Sequence, residues 1–209
     1  MAFIVVEGVD GAGKSSVAAG LAALRRAAGR DVLSLREPGS TPVGERVRAL
    51  LLDPAVGAVD PWTEALLFSA CRTEMVRKII RPALVAGREV ILDRYYYSTL
   101  AYQGGGGGAD VSALAALSKA ATGGLEPDVV LLLDLAPEAA AMRRTRLQDR
   151  MEANDAAYYE RVRRAYLALA AAPENERRFR VLDASGSPEA VLAAAAAAVA
   201  SAAKESPRP

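Results

Sequence analysis

The stretch Gly8-Val9-Asp10-Gly11-Ala12-Gly13-Lys14-Ser15 decides the fold. It follows the apolar run Phe3-Ile4-Val5-Val6 and leads into a segment rich in alanine and leucine at helical spacing. The pattern G-x-x-x-x-G-K-S is that of a phosphate-binding loop between a strand and a helix. Its glycines let the backbone curl with N–H groups pointing inward, where larger side chains would obstruct phosphate oxygens. The helix that starts near Lys14 adds the partial positive charge of its N-terminus. Lys14 has the reach for β- and γ-phosphates, and the Ser15 hydroxyl suits Mg²⁺. A plain glycine turn is the alternative, but strand before, helix after and full spacing together predict a nucleoside triphosphate site. Lys14 reads as a solvent-facing loop lysine that folding can spare.

Composition fits that start. The chain has 209 residues, 52% hydrophobic and 24% charged, enough for one globular domain (1–209) with an ample core. A net charge of +1 gives no global field to recruit nucleic acid or an anionic membrane. The single cysteine excludes an internal disulfide framework and suits a reducing cytoplasm, and the absence of histidine removes Ser-His and Cys-His nucleophilic machinery. The opening residues lack a basic leader, so no signal peptide is expected, and the apolar tail over 190–203 is too short to span a bilayer.

Strand and helix alternate outward from the loop. Strands are expected over 3–7, 31–35, 89–92, 129–135 and 179–182. Helices are expected over 14–28, 43–52, 61–86, 111–121 and 152–172, with others beginning at Pro137 and Pro188, and a frayed tail at 205–209. The glycine run Gly104 to Gly108 reads as a loop. Five short apolar strands separated by helices predict an α/β fold, a five-stranded parallel sheet covered on both faces, with no second domain. In such sheets ligands gather beyond the carboxyl ends of the strands. After the third strand stand Asp93 and Arg94. A carboxylate there can hold Mg²⁺ through water, and the planar guanidinium suits a pair of phosphate oxygens, whereas a solvated surface pair would do little. Asp10, inside the loop, lies close enough to approach Mg²⁺ or a substrate hydroxyl.

Further motifs follow in order: Arg36-Glu37-Pro38-Gly39-Ser40-Thr41-Pro42, Phe68-Ser69-Ala70-Cys71-Arg72, Asp93-Arg94-Tyr95, and Ser98-Thr99-Leu100-Ala101-Tyr102-Gln103-Gly104. With Pro127-Asp128, Leu133-Asp134, Arg150-Met151-Glu152 and Tyr166-Leu167 they closely resemble the thymidylate kinase family over nearly the whole chain. The resemblance implies a P-loop kinase fold, transfer of the ATP γ-phosphoryl to dTMP with Mg²⁺, a cytoplasmic enzyme of dTTP biosynthesis, and a homodimer, with the long helix before Gly87 as the candidate interface. It implies ATP contacts along Gly8, Val9, Asp10, Gly11, Ala12, Gly13, Lys14, Ser15 and Ser16, with Arg143 from the lid, and metal contacts at Ser15 and Asp93. For the acceptor it implies Phe68 stacked on thymine, Arg72 donating to a base carbonyl, and Thr99 and Gln103 on the base edge. Tyr102 would lie against the deoxyribose, Asp10 would take the 3′-hydroxyl, and Arg94 with Arg36 or Arg48 would grip the phosphate.

One departure stands out: relatives often carry a bulkier residue inside the glycine run, so an all-glycine Gly104 to Gly108 is expected to loosen that loop. Arg143, Arg146 and Arg150 recur at i, i+3 and i+7, one face of a helix if it continues that far, and Arg144 adds to the cluster. A solvated charged helix fits this pattern equally well. The resemblance assigns the cluster to a lid over 143–152, of the bacterial type, because the loop residue beside Asp10 is Gly11 rather than arginine. Lys14, Arg94, Asp10, Arg146 and Arg150 are then the candidate catalytic residues. The adenine would lie between the lid arginines and Ala184-Ser185-Gly186. Two other readings remain: a P-loop kinase for another acceptor, and a nucleotide-driven switch, against which the lack of an Asn-Lys-x-Asp sequence counts.

Overall fold

A computed structural model describes residues 2–143 and 150–205. Five strands, β1 (Phe3–Gly8), β2 (Val32–Arg36), β3 (Glu89–Asp93), β4 (Val129–Asp134) and β5 (Phe179–Asp183), form one sheet in the order β2-β3-β1-β4-β5. Every neighbouring pair is parallel. All six residues of β1 are buried, as are the first five of β4, whereas β2 and β5 at the edges alternate. This is the pattern of a sheet covered on both faces with half-solvated edges. The helices are α1 (Lys14–Ala27), α2 (Pro42–Leu52), α3 (Pro61–Met75), α4 (Arg81–Val85), α5 (Tyr96–Thr99), α6 (Val111–Thr122), α7 (Pro137–Arg143), α8 (Ala156–Ala171) and α9 (Pro188–Glu205).

Local chemistry accounts for several of the boundaries. Thr41, Asp60, Asp110 and Asp155 each turn a side-chain oxygen onto the first free N–H groups of α2, α3, α6 and α8. Helix α1 differs: it follows Gly13 at φ +91°, and no side chain caps it. Its N–H groups stay available at the carboxyl end of the central strand, where the winding of the sheet reverses.

Three expectations change. The helix over 61–86 is continuous in direction, but Val76–Ile80 is π-helical between α3 and α4. That widening precedes Pro82, which has no N–H to donate and crowds the turn before it. The helix expected over 152–172 starts only at Ala156, where Asp155 accepts from Tyr158 N, and Arg150–Ala153 is a separate 3₁₀ turn. Finally, the glycine run does not loosen a loop. Leu100–Gly106 is π-helical, continues α5, and packs against α8. A Cβ on Gly105 would stand 2.3 Å from the Ala165 Cβ, and one on Gly106 would stand 2.6 Å from the Tyr158 ring. Glycine is there because two helical backbones approach closely.

Candidate active site

The carboxyl ends of β1, β2 and β3 open onto one cavity of about 910 Å³. At one end it is lined by the loop from Asp10 to Ser16, by Arg143 and by Gly186; at the other by Phe68, Arg72, Thr99, Tyr102 and Gln103. Arg36, Arg48, Asp93 and Arg94 line it as well. The predicted donor residues from Asp10 to Ser16 and Arg143 therefore face the same space as the predicted acceptor residues, whereas Gly8 and Val9, buried at and just past the end of β1, and Arg150 do not line it.

At the donor end, Gly11 sits at φ +89°, and a Cβ there would lie 2.3 Å from the Ala140 carbonyl oxygen of α7. No arginine could stand at this position without displacing α7. Lys14 is not solvent-facing: it is 6% exposed, and its Nζ donates to the Val9 carbonyl at 2.8 Å. Burial, with Arg94 nearby, pushes its amine down to about 8 against the pull of Asp10, Asp93 and Glu7. The Ser15 hydroxyl donates to Asp93 Oδ2 at 2.5 Å, while Asp93 Oδ1 is buried with no hydrogen-bond partner. A buried carboxylate oxygen left open beside a serine hydroxyl is a donor set that fits Mg²⁺.

Arg94 occupies the centre. Its φ of +70° is a strained conformation for a residue with a side chain, and it folds the guanidinium back over the loop. Nη2 pairs with Asp10, and Nη1 donates to the Gly8 carbonyl at 3.2 Å and to the Ser98 hydroxyl at 3.0 Å. Burial alone would raise the Asp10 carboxyl, but Arg94, Lys14 and the Tyr102 hydroxyl hold it ionised, at about 2. Tyr102 donates to Asp10 Oδ2 at 2.8 Å and accepts from Asp10 N at 3.0 Å, which fixes its ring at the cavity wall.

At the acceptor end, Arg72 is fully buried. Its Nε donates to Glu37 Oε2 at 3.2 Å, and its Nη2 pairs with Glu37 Oε1 and donates to the Thr99 hydroxyl at 2.9 Å. Its Nη1 is buried without a hydrogen-bond partner, a donor kept for something else. Burial pushes the Glu37 carboxyl upward, and Arg72 pulls it back. Gln103 donates from Nε2 to Glu64 Oε2 at 2.9 Å, so its carbonyl oxygen remains to accept. Arg36 is tied to Glu45, and Arg48 donates to the Pro38 carbonyl at 3.0 Å.

The lid divides. Arg143 donates to the carbonyls of Ala184 at 2.7 Å and Ser185 at 3.0 Å, which places it against the segment expected at the adenine. Arg150 is not brought to the loop. Its Nη1 pairs with Glu64 at 2.7 Å and its Nε donates to the Leu51 carbonyl at 2.9 Å, because a nearly buried carboxylate on α3 needs a cation. Arg144 and Arg146 lie outside the described residues. The carboxylates of Glu7, Glu37 and Glu64 were not assigned a role from the sequence. The only signals were an acidic residue inside an apolar strand, one inside a proline turn and one on a helix.

A P-loop with a free helix N-terminus, sharing a cavity with Phe68, Tyr102 and the polar groups of Arg72, Thr99 and Gln103, defines a nucleotide-dependent phosphotransferase. The sequence profile of the thymidylate kinase family matches residues 6–195. The chain is 50% identical over 205 residues to a thymidylate kinase of Cereibacter sphaeroides, covering 95% of this chain and 94% of that protein. It is 47% identical over 185 residues to one of Deinococcus radiodurans, covering 88% of each, and 45% identical over 199 to one of Desulfovibrio desulfuricans, covering 91% of each. The chain belongs to the thymidylate kinase family.

Proposed function

We propose that the protein transfers the γ-phosphoryl group of ATP to dTMP, giving ADP and dTDP. The observation that carries this is the one cavity lined both by the loop before the uncapped α1 and by Arg72, whose buried Nη1 has no hydrogen-bond partner. An oxygen of the acceptor phosphate attacks the γ-phosphorus, and the bond to the β–γ bridging oxygen breaks, leaving its electron pair on ADP. The attacking oxygen is already anionic, so no general base is needed and the lack of histidine costs nothing. Catalysis is then alignment and charge stabilisation.

Lys14 exchanges the Val9 carbonyl for the β- and γ-phosphates, and the N–H groups of the loop from Gly8 to Ser16 cradle the polyphosphate. Arg94, flanked by Arg36 and Arg48, meets the acceptor phosphate, while Asp10 accepts from the 3′-hydroxyl. Phe68 walls the base, Arg72 Nη1 donates to a thymine carbonyl, and Thr99 and Gln103 complete the edge. Tyr102 occupies the space a 2′-hydroxyl would need. Ser15 and Asp93 would hold Mg²⁺, which supplies neutralisation of phosphate charge. Arg143 serves the donor end; Arg146 and Arg150 are assigned to the transferring phosphoryl, for which Arg150 must leave Glu64.

A homodimer is supported by Trp62 and Leu66, 37% and 55% exposed one turn apart on α3; light scattering giving a monomer's mass would remove it. A cytoplasmic setting is supported by Cys71, a free thiol. Among the described residues no helix is long and apolar enough to cross a membrane. The test of function is ADP release with ATP and Mg²⁺ across dTMP, dUMP, dCMP and AMP. Strong preference for dTMP is expected, and ATP hydrolysis indifferent to acceptor would refute the assignment.

A further inference from the structure

Glu7 is the one charged residue of β1, fully buried where its neighbours are phenylalanine, isoleucine and valine. A carboxylate in that position is costly unless hydrogen-bonded. Among the described residues it is in no direct ion pair; instead three donors converge on it. Oε1 accepts from Tyr95 N at 2.8 Å, and Oε2 accepts from the Ser98 hydroxyl at 2.6 Å and the Tyr166 hydroxyl at 2.9 Å. Each of these donors belongs to the surroundings of Arg94.

The first sets its backbone. Arg94 N makes the last bond of the strand ladder, to the Val6 carbonyl at 3.0 Å. The chain then passes through φ +70°, and the next N–H, that of Tyr95, turns to Glu7 rather than to a strand. Strained backbone persists only where its surroundings over-determine it, and Glu7 supplies that constraint. The other two donors set the guanidinium. Arg94 Nη1 donates to Ser98 Oγ at 3.0 Å and to the Tyr166 oxygen at 3.4 Å. Burial pushes the Glu7 carboxyl upward, and Arg94 with the three hydrogen bonds pulls it back. As a carboxylate it can only accept, so each hydroxyl proton it takes is turned away from Arg94, while Ser98 Oγ and the Tyr166 oxygen, 2.8 Å apart, are also hydrogen-bonded to each other. Nη2 is then directed to Asp10 at the cavity.

We propose that Glu7 is the positioning residue of Arg94, holding its strained backbone through Oε1 and its guanidinium, by way of the Ser98 and Tyr166 hydroxyls, through Oε2. The proposal rests on the assignment of Arg94 to the acceptor phosphate. Glu7→Gln keeps the shape but presents an amide N–H₂ to the two hydroxyls; one proton can then sit between Ser98 and Tyr166, 2.8 Å apart, and the other turns toward Arg94.

The test is steady-state kinetics of the full chain with ATP and dTMP varied separately, on Glu7→Gln, Arg94→Lys and the double variant Ser98→Ala/Tyr166→Phe. Glu7→Gln is expected to lower kcat by about tenfold or more, the scale of one misdirected hydrogen bond to a charged group, and to raise KM for dTMP. KM for ATP should change by less than about twofold, because the bonds lost face Arg94 rather than the loop. A Glu7 that only stabilises the strand entering the loop would disturb KM for ATP at least as much, and that result overturns the proposal. So does a Glu7→Gln enzyme with wild-type kcat and KM for dTMP beside an impaired Arg94→Lys. An unimpaired Arg94→Lys instead refutes the reading of Arg94, and the proposal falls with it. If Glu7→Gln does not fold, the double variant decides: the same loss on the dTMP side supports the proposal, and wild-type kinetics overturn it.

Discussion

Replacing Arg72 with methionine tests base recognition most directly, and the structure shows why two measurements are needed. The variant keeps the stem and removes a guanidinium whose Nη1 is buried and unpartnered while its other nitrogens serve Glu37 and Thr99. Losing the Nη1 donor to a thymine carbonyl should cost about 1.5–3 kcal/mol in the transition state, or about 10- to 150-fold in kcat/KM for dTMP. Losing the partner of a buried Glu37 should cost about 3–5 kcal/mol of stability, a large part of the 5–15 kcal/mol available to a domain. Glu37, already pushed upward by burial, relieves part of that by taking a proton. The companion variant Arg72→Met/Glu37→Gln removes the stranded charge and should recover most of the stability but none of the kcat/KM. Urea denaturation gives the first quantity, and coupled ADP release with dTMP varied gives the second. A folded double variant with wild-type kcat/KM for dTMP would make Arg72 purely structural and refute the reasoning.

Three further outcomes are expected. The Lys14 amine stands at about 8 in the free protein, and polyphosphate beside it must raise that value; ATP binding near pH 8 should therefore take up protons, and affinity should fall as pH rises through the Lys14 value. Titration calorimetry in two buffers of different ionisation enthalpy measures the uptake, and its persistence in Lys14→Met would assign it elsewhere. Tyr102→Ala should narrow the ratio of kcat/KM for dTMP over its ribonucleotide analogue by about tenfold, whereas Tyr102→Phe keeps the wall and the ratio; equal ratios in both would remove Tyr102 from sugar selection. Gly105→Ala drives a methyl into Ala165 and should destabilise by about 1–3 kcal/mol, seen as a lower melting temperature, while a slack loop would instead gain about 0.4–1 kcal/mol.

The loop from Gly8 to Ser15, the five strands and the residues standing just beyond them were legible in order along the chain. Each rests on short-range chemistry: glycines that permit positive φ, apolar runs with strand or helix period, and side chains at fixed offsets from a strand end. Phe68, Arg72, Thr99, Tyr102 and Gln103 were legible as a set through their motifs, and they do line one cavity. The acceptor that fills it was implied by resemblance, since spacing alone says nothing about a base.

Contacts between residues far apart in the chain, by contrast, came into view only with the fold. The glycine run looks slack by composition, yet α8 presses on it at 2.3 Å from where a Cβ of Gly105 would stand. Arg143 and Arg150 share a spacing in sequence but part in space, one to the carbonyls of 184–186 and the other to Glu64 on α3. Lys14 reads as a loop lysine and is buried. Glu7 reads as a single break in an apolar strand; its meaning depends on Tyr166, 159 positions away. A buried charge is tolerated only by the partners the fold brings to it, and no local pattern announces who they are.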